Sequence, residues 1–251
     1  LFPLRDDNPT LSTSVATFTI IALNVAVWFL LQGMGTEPSL STSVCRLGAI
    51  PGELLGRVPA GTQVPLGPGL ACVIEGQANW LTPLSSMFMH GGWFHIIGNL
   101  WFLWVFGDNV EDAMGPVRFV VFYLLCGFAA VAAQALSNPA SAVPMVGASG
   151  AIGGVMGAYA LLYPRAPVHM MVVLGFYIDR IAVPAVMMLG YWFVIQLIGG
   201  LPRLQGDGGG VAFWAHVGGF LAGVALAPVF RSPERVEAHR ALMARRFRSR
   251  A

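Results

Sequence analysis

Apolar residues in this chain arrive in long runs rather than in the stripes of amphipathic elements, and this restricts the solvent in which it can fold. A helix that crosses the hydrocarbon core needs about 20 mainly apolar residues, within a range of roughly 17 to 25. Residues 15–32, 93–110, 117–136, 181–198 and 211–230 meet that length. A sixth run, 149–163, lies between Pro144 and Pro164 and is shorter. At 1.5 Å per residue it reaches only about 22 Å, against a core of about 30 Å. A helix of that length must begin below the membrane surface. The composition agrees, with 10% of residues charged and 56% hydrophobic, where soluble domains average about 25% charged. The chain therefore reads as an all-α polytopic membrane protein, a bundle of six transmembrane helices.

The expected organisation has three parts: a cytoplasmic N-terminal segment, 1–14, the six-helix membrane domain, 15–230, and a basic cytoplasmic tail, 231–251. A loop at 33–83 separates the first two spans. It contains Pro38, Pro51, Pro59, Pro65 and Pro68 and so cannot be one helix. Short interfacial helices are expected around Trp80, Leu81 and 87–94. No cleavable signal is expected, because 1–10 is polar and the run after it is long enough to span.

Arginine sets the orientation. All 14 basic residues are Arg, and half of them lie between Arg231 and Arg250. Arg118, Arg165, Arg180 and the tail fall on the side of the termini, against Arg46, Arg57 and Arg203 on the other. The positive-inside rule then puts both termini in the cytoplasm of a cell membrane and the loop 33–83 outside. A basic run that directly follows an apolar span reads as a lipid-facing tail rather than a nucleic-acid patch, so no nucleic acid is expected. Cys45 and Cys72 share the outer loop and are either a bridge or two free thiols; their spacing does not choose.

Polar residues inside spans are costly and mark function. His95 and Asn99 open the second span, Ser149 the fourth and His216 the sixth. Even-numbered spans all start on the outer face, so topology alone puts these four at similar depth under one surface. Gly150, Gly153, Gly154 and Gly157 on one helix, and Ala215, Gly219 and Gly223 on another, recur at the spacing that lets helices approach closely. If those faces meet, Ser149 and His216 come within hydrogen-bond reach. A serine at a helix start is either a cap or a nucleophile that needs a nearby base. His216 is the base available, or else a structural histidine. His95 and Asn99, four apart, share a helical face and can donate to an oxyanion. A three-histidine metal site of His90, His95 and His216 is the competing arrangement, but it lacks simple ligand spacing and any carboxylate or cysteine.

The ordered set His90–Gly91–Gly92–Trp93–Phe94–His95–Ile96–Ile97–Gly98–Asn99, Gly147–Ala148–Ser149–Gly150 and Ala215–His216–Val217–Gly218–Gly219 resembles the rhomboid family. So do Pro3–Leu4–Arg5–Asp6–Asp7–Asn8–Pro9 and Gly107–Asp108–Asn109–Val110–Glu111. The resemblance implies a six-span, rhomboid-like bundle and an intramembrane serine endopeptidase that cleaves membrane-anchored substrates within or beside their transmembrane segments. It implies Ser149 as nucleophile, His216 as general base, and His95, Asn99 and the Ser149 N–H as oxyanion-stabilising groups. Glu111 matches a structural carboxylate, 191–193 a gate and 199–210 a cap. No metal or other cofactor is implied, and the partners are transmembrane protein substrates and membrane lipid. With no acidic residue at matching depth, the expected site is a dyad whose imidazole is held by packing and aromatic neighbours. Many bacterial members carry an aromatic four residues after the nucleophile. This chain has Gly153 there, with Trp214 or Tyr159 as candidate substitutes. A non-proteolytic member that binds transmembrane clients, and a transporter, are the competing functional classes.

Overall fold

The computed structural model describes residues 2–67, 69–175, 177–202 and 211–248. The chain opens with strand β1 (Phe2–Asp6) and helix α1 (Val15–Leu30). The loop 33–83 then folds into α2 (Ser39–Leu47), α3 (Pro51–Leu54), the hairpin β2 (Gln63–Gly67) and β3 (Leu70–Val73), and α4 (Thr82–Ser85). Two long helices follow, α5 (Trp93–Met114) and α6 (Pro116–Ser137). Gly115, at φ 83°, makes the turn between them, and Pro116 starts the second helix at a position that needs no N–H. Next come α7 (Ser149–Leu162), the hairpin β4 (Pro167–Leu174) and β5 (Tyr177–Pro184), α8 (Ala185–Gly200), α9 (Phe213–Phe230) and α10 (Pro233–Arg248).

Helix α7 is the centre of the bundle, buried at every position from Gly150 to Tyr159. It touches α9 backbone to backbone. A Cβ added to Gly219 would fall 1.9 Å from the Gly150 carbonyl oxygen, and one added to Gly223 would fall 1.9 Å from that of Gly154. On its α6 side, a Cβ at Gly150 would meet Ala130 at 2.5 Å and one at Gly154 would meet Cys126 at 2.4 Å. The two glycine faces read from the sequence do meet. On the outside of the bundle, large apolar side chains such as Phe18, Leu30, Phe94, Val117 and Leu136 are exposed. By length and composition α6 and α9 can cross a membrane, with mean hydropathies of 2.2 and 1.6, while α1, α7 and α8 are shorter apolar helices.

The fold is mostly helical, but all-α is too narrow a description. β1, β4 and β5 form an antiparallel sheet in the order β1-β4-β5 at the end of the bundle where α7 stops and α8 starts. The expected span 181–198 therefore begins late: Ile181 and Val183 belong to β5, and α8 starts after Pro184. β-branched residues, Val168 and Val172 on β4 and Ile178, Ile181 and Val183 on β5, favour the pleated ladder. Pro184, lacking an N–H, sits at its last position. The tail is also more ordered than a basic tract requires, since most of it forms α10.

Two carboxylates on α5 fasten the N-terminal segment. Ser14 makes no side-chain cap for α1. Glu111 takes that role from another helix, accepting from the N–H groups of Ala16 (2.9 Å) and Thr17 (2.7 Å) and from the Thr17 hydroxyl (2.7 Å). A carboxylate there both pairs uncommitted N–H groups and faces the positive end of the helix dipole. Asp112 accepts from Leu11 N–H, Ser12 N–H and the Ser12 hydroxyl. Farther along, the Tyr159 hydroxyl donates to Asp6, Asn8 donates to the Tyr159 oxygen at 3.3 Å, and Trp101 donates to the Pro3 carbonyl at 2.6 Å. Burial pushes the Asp6 carboxyl up to about 6, against the opposing effect of the Tyr159 hydrogen bond.

The loop 33–83 has its own small core of Ile50, Cys72 and Ile74. Cys45 on α2 and Cys72 on β3 are disulfide-bonded, with Cα atoms 5.3 Å apart, which decides between the two alternatives left by the sequence. Just beyond α2, Ala49 and Met145 exchange two backbone hydrogen bonds (2.9 and 2.8 Å), and Gly52 N–H donates to the Ser141 carbonyl at 2.8 Å.

Two predictions follow from this packing. Replacing Gly219 by Ala places a methyl 1.9 Å from a carbonyl oxygen, whereas a methyl at Gly190 on α8 meets nothing within 4 Å. Thermal or denaturant unfolding of the purified protein should show Gly219→Ala destabilised by roughly 3 kcal/mol or more. Gly190→Ala should be stabilised by about 0.5–1 kcal/mol. Asp6 supplies the second. Its carboxyl titrates higher in the folded than in the unfolded chain. Its contribution is thus complete at low pH and is lost as pH rises through about 6. The thermal midpoint should fall as pH rises from the ordinary value of 3.8 to about 6 in the parent and change less over that interval in Asp6→Asn.

Candidate active site

The segment before α7 is held from outside the helix. Gly147 N–H donates to the Ser86 carbonyl at 2.9 Å, and Met145 pairs with Ala49. Gly147 adopts φ 125°, a conformation that strongly favours glycine, and the chain enters α7 at Ser149 two residues later. Ser149 therefore occupies the first turn of a buried helix, where the leading N–H groups have no intrahelical acceptor. His216 sits in the first turn of α9, whose start is tied to α6 by Gln134, the acceptor of a 3.2 Å hydrogen bond from Ala215 N–H. With α7 and α9 in glycine contact, Ser149 Oγ and His216 Nε2 are 2.8 Å apart.

The other ring nitrogen is engaged as well. His216 Nδ1 lies 2.8 Å from Oε1 of Gln196, a buried residue on α8. One turn earlier on the same helix, Trp192 packs on the imidazole with ring centroids 5.7 Å apart. This corrects the expectation of a histidine held by packing and aromatic neighbours alone: a neutral amide stands where a triad would have a carboxylate. It also corrects the candidates for the missing aromatic. Trp214 donates to the Gly200 carbonyl at 3.1 Å, and Tyr159 lies at the far end of α7 with Asp6. Trp192 fills the place, its ring tip 3.6 Å from where a Cβ on Gly153 would be. Gln196 was missed in the sequence and Trp192 was named only within the expected gate 191–193, although Gln196 carried the signal that flagged Asn99, an amide inside an apolar run.

His95 and Asn99 are both on α5. His95 Nδ1 accepts from Gly91 N–H at 3.2 Å, which leaves its hydrogen on Nε2. That nitrogen is 2.6 Å from the position of a Cβ on Gly147, and Ser149 Oγ is 3.4 Å from the same point, so Nε2 faces the space beside the hydroxyl. Asn99 is 8% exposed, and its Nδ2 is buried with no hydrogen-bond partner among the described residues. A buried donor in that state is suited to an acceptor brought by a ligand. The His90 ring packs edge-on against His95 at 5.2 Å. Among the described residues, no three His, Cys, Asp or Glu are grouped to hold a metal ion. A small cavity of about 20 Å³ opens beside Ser149, between Ser86, Met145, Gly147, Ala130 and Ala215. Residues 191–193, expected to form a gate, lie on α8, and of the expected cap 199–210, residues 203–210 are outside the described residues.

Comparison with known proteins gives a consistent picture. The Rhomboid protease GluP of Bacillus subtilis (strain 168) is 30% identical over 212 residues, covering 84% of this chain and 34% of that protein. RHOMBOID-like protein 6, mitochondrial, of Arabidopsis thaliana is 27% identical over 231 residues, 85% of this chain and 68% of that protein. RHOMBOID-like protein 5 of the same plant is 27% identical over 185 residues, 68% of this chain and 54% of that protein. The chain thus spans about a third of the length of the bacterial relative and between half and about two thirds of the plant ones. A model of the Rhomboid domain matches residues 77–233, which takes in His95, Asn99, Ser149 and His216. Matched over more than half its length, this chain belongs to the rhomboid family, whose members are embedded in membranes.

Proposed function

We propose that this chain is an intramembrane serine endopeptidase that cleaves membrane-anchored proteins within or next to their transmembrane segments. The observation that carries the reading is the 2.8 Å contact of Ser149 Oγ with His216 Nε2, at the buried start of a helix in an apolar bundle. In this reading α1 and α5 to α9 are the six spans and 33–83 faces outward. Both ends of the chain lie on the cytoplasmic side of a cell membrane, and lipid surrounds the exposed apolar side chains.

His216 Nε2 takes the Ser149 proton as Oγ attacks the scissile carbonyl, and the negative charge passes to the carbonyl oxygen. That oxygen is met by His95 Nε2–H, by the unpartnered Asn99 Nδ2 and by the N–H of Ser149. The imidazolium gives its proton to the leaving amine, and an acyl-enzyme ester remains. Water, deprotonated by His216, attacks the ester and releases the new carboxyl end together with free Ser149. Tying up the Asn99 amide only in the intermediate is what makes it useful. Stabilisation confined to the transition state lowers the barrier rather than the substrate's energy.

Cleavage of a purified model transmembrane substrate, followed on gels and by mass spectrometry, tests the assignment. Ser149→Ala and His216→Ala should abolish cleavage; equal cleavage by Ser149→Ala and the parent overturns the reading. Asn99→Ala should lower kcat by roughly 10²–10³-fold, the cost of losing one oxyanion donor. The cavity beside Ser149, about 20 Å³ and closed in by Met87, Val131, Met145 and Val146 as well as by glycines and alanines, has room for no more than a small side chain such as a methyl or hydroxymethyl group. Substrates with Ala or Ser on the carbonyl side of the scissile bond should be cut in preference to the same substrates with Leu or Phe. An opposite preference would remove the cavity from the specificity argument.

A further inference from the structure

Gln196 is the one amide or charged side chain of α8, and it is 7% exposed in a helix that is otherwise apolar. A buried amide without partners costs about 1–3 kcal/mol, so its position calls for an explanation. Its Oε1 lies 2.8 Å from His216 Nδ1, while His216 Nε2 lies 2.8 Å from Ser149 Oγ. The two contacts are chemically linked. A neutral imidazole carries one hydrogen, and Nε2 can accept the serine proton only when that hydrogen is on Nδ1. An acceptor fixed at Nδ1 selects this tautomer and the ring orientation that goes with it. An amide does so without burying a second charge, whose desolvation would be costly in this setting. When the ring becomes imidazolium, the Gln196 contact persists.

Trp192 is four residues before Gln196, so both lie on one face of α8. The nucleophile comes from α7, the base from α9, and both side chains that orient the base come from α8. We propose that Gln196 is a positioning residue whose Oε1 holds His216 in the tautomer that accepts the Ser149 proton, which makes the base competent only while α8 is closed against α9. The proposal rests on the protease reading above and assigns the third member of that site.

Two substitutions separate orientation from packing. Gln196→Leu keeps the volume and removes the acceptor. Gln196→Glu keeps an acceptor oxygen and adds a charge that favours the imidazolium. With a soluble-tagged transmembrane substrate, Gln196→Leu should lower kcat by roughly 10- to 100-fold with KM changed by less than about twofold. Gln196→Glu should recover much of that loss, with the acid limb of the kcat/KM profile moved to higher pH. In parallel, ¹⁵N spectra of histidine-labelled protein, assigned with His216→Ala, should show the His216 hydrogen on Nδ1 in the parent and a mixture of tautomers in Gln196→Leu. A Gln196→Leu variant with parental kcat and a parental His216 spectrum overturns the proposal. So does a pair of variants equally impaired with an unmoved acid limb, which is the signature of a packing role. The spectra do not depend on turnover. If Ser149→Ala and the parent cleave alike, the protease reading fails while the Gln196–His216 pairing is still judged by its own signal.

Discussion

The contact on which everything else in this molecule depends is the meeting of α7 and α9 through their backbones. The carbonyls of Gly150 and Gly154 face Gly219 and Gly223 across a gap that would not admit a single extra carbon. In lipid there is little hydrophobic gain from pairing two apolar helices, so close van der Waals packing has to supply the attraction, and glycine is what allows it. The same approach sets the reach of the chemistry. Serine and histidine have short side chains, and they come to 2.8 Å only because the helices bearing them are this close.

With that distance fixed, the two ends of α7 serve opposite purposes. At its N-terminal end the chain enters the helix through Gly147, leaving Ser149 among uncommitted N–H groups. At the other end Tyr159 is tied to Asp6 and Asn8, and the N-terminal segment is tied in turn to Glu111 and Asp112 of α5. Asp112 also takes an ion pair from Arg235 of α10 at 3.7 Å, so segments from both ends of the chain converge on one carboxylate. Rigidity at that end, and unsatisfied donors at the other, is how preorganised sites are built: the charge-stabilising groups are in place before any charge develops.

Much of this was legible in the sequence, for reasons that particular residues make clear. Topology needs only the count of apolar runs, so the nearness of Ser149 to His216 and His95 could be expected without any coordinates. The glycine spacing named the faces that would meet. The β4–β5 hairpin was not legible, because Ile181 and Val183 are as apolar as a span and only Pro184 marked the boundary. Gln196 was not legible either. Its polarity was visible, but whether it pointed at His216 depended on the rotation of α8 about its axis, which Trp192 and the neighbours of Gly153 determine. The Cys45–Cys72 pairing required the fold of the loop 33–83, since two cysteines separated by 27 residues can pair only if α2 and β3 come together.

That bridge sits in a subdomain with very little core of its own, chiefly Ile50, Cys72 and Ile74. Joining residues 27 apart removes loop freedom from the unfolded chain worth on the order of 3 to 4 kcal/mol. A covalent bond thus does there what burial does in the bundle. The braced subdomain reaches, through Ala49 and Gly52, the stretch of chain leading into Ser149. The helices of the bundle are held by their own packing, whereas the support that this subdomain lends to the stretch before Ser149 includes a covalent bond formed by oxidation. Reduction of that one bond would loosen the brace while leaving the glycine contacts of the bundle intact, so the seating of Ser149 is sensitive to thiol chemistry at a distance.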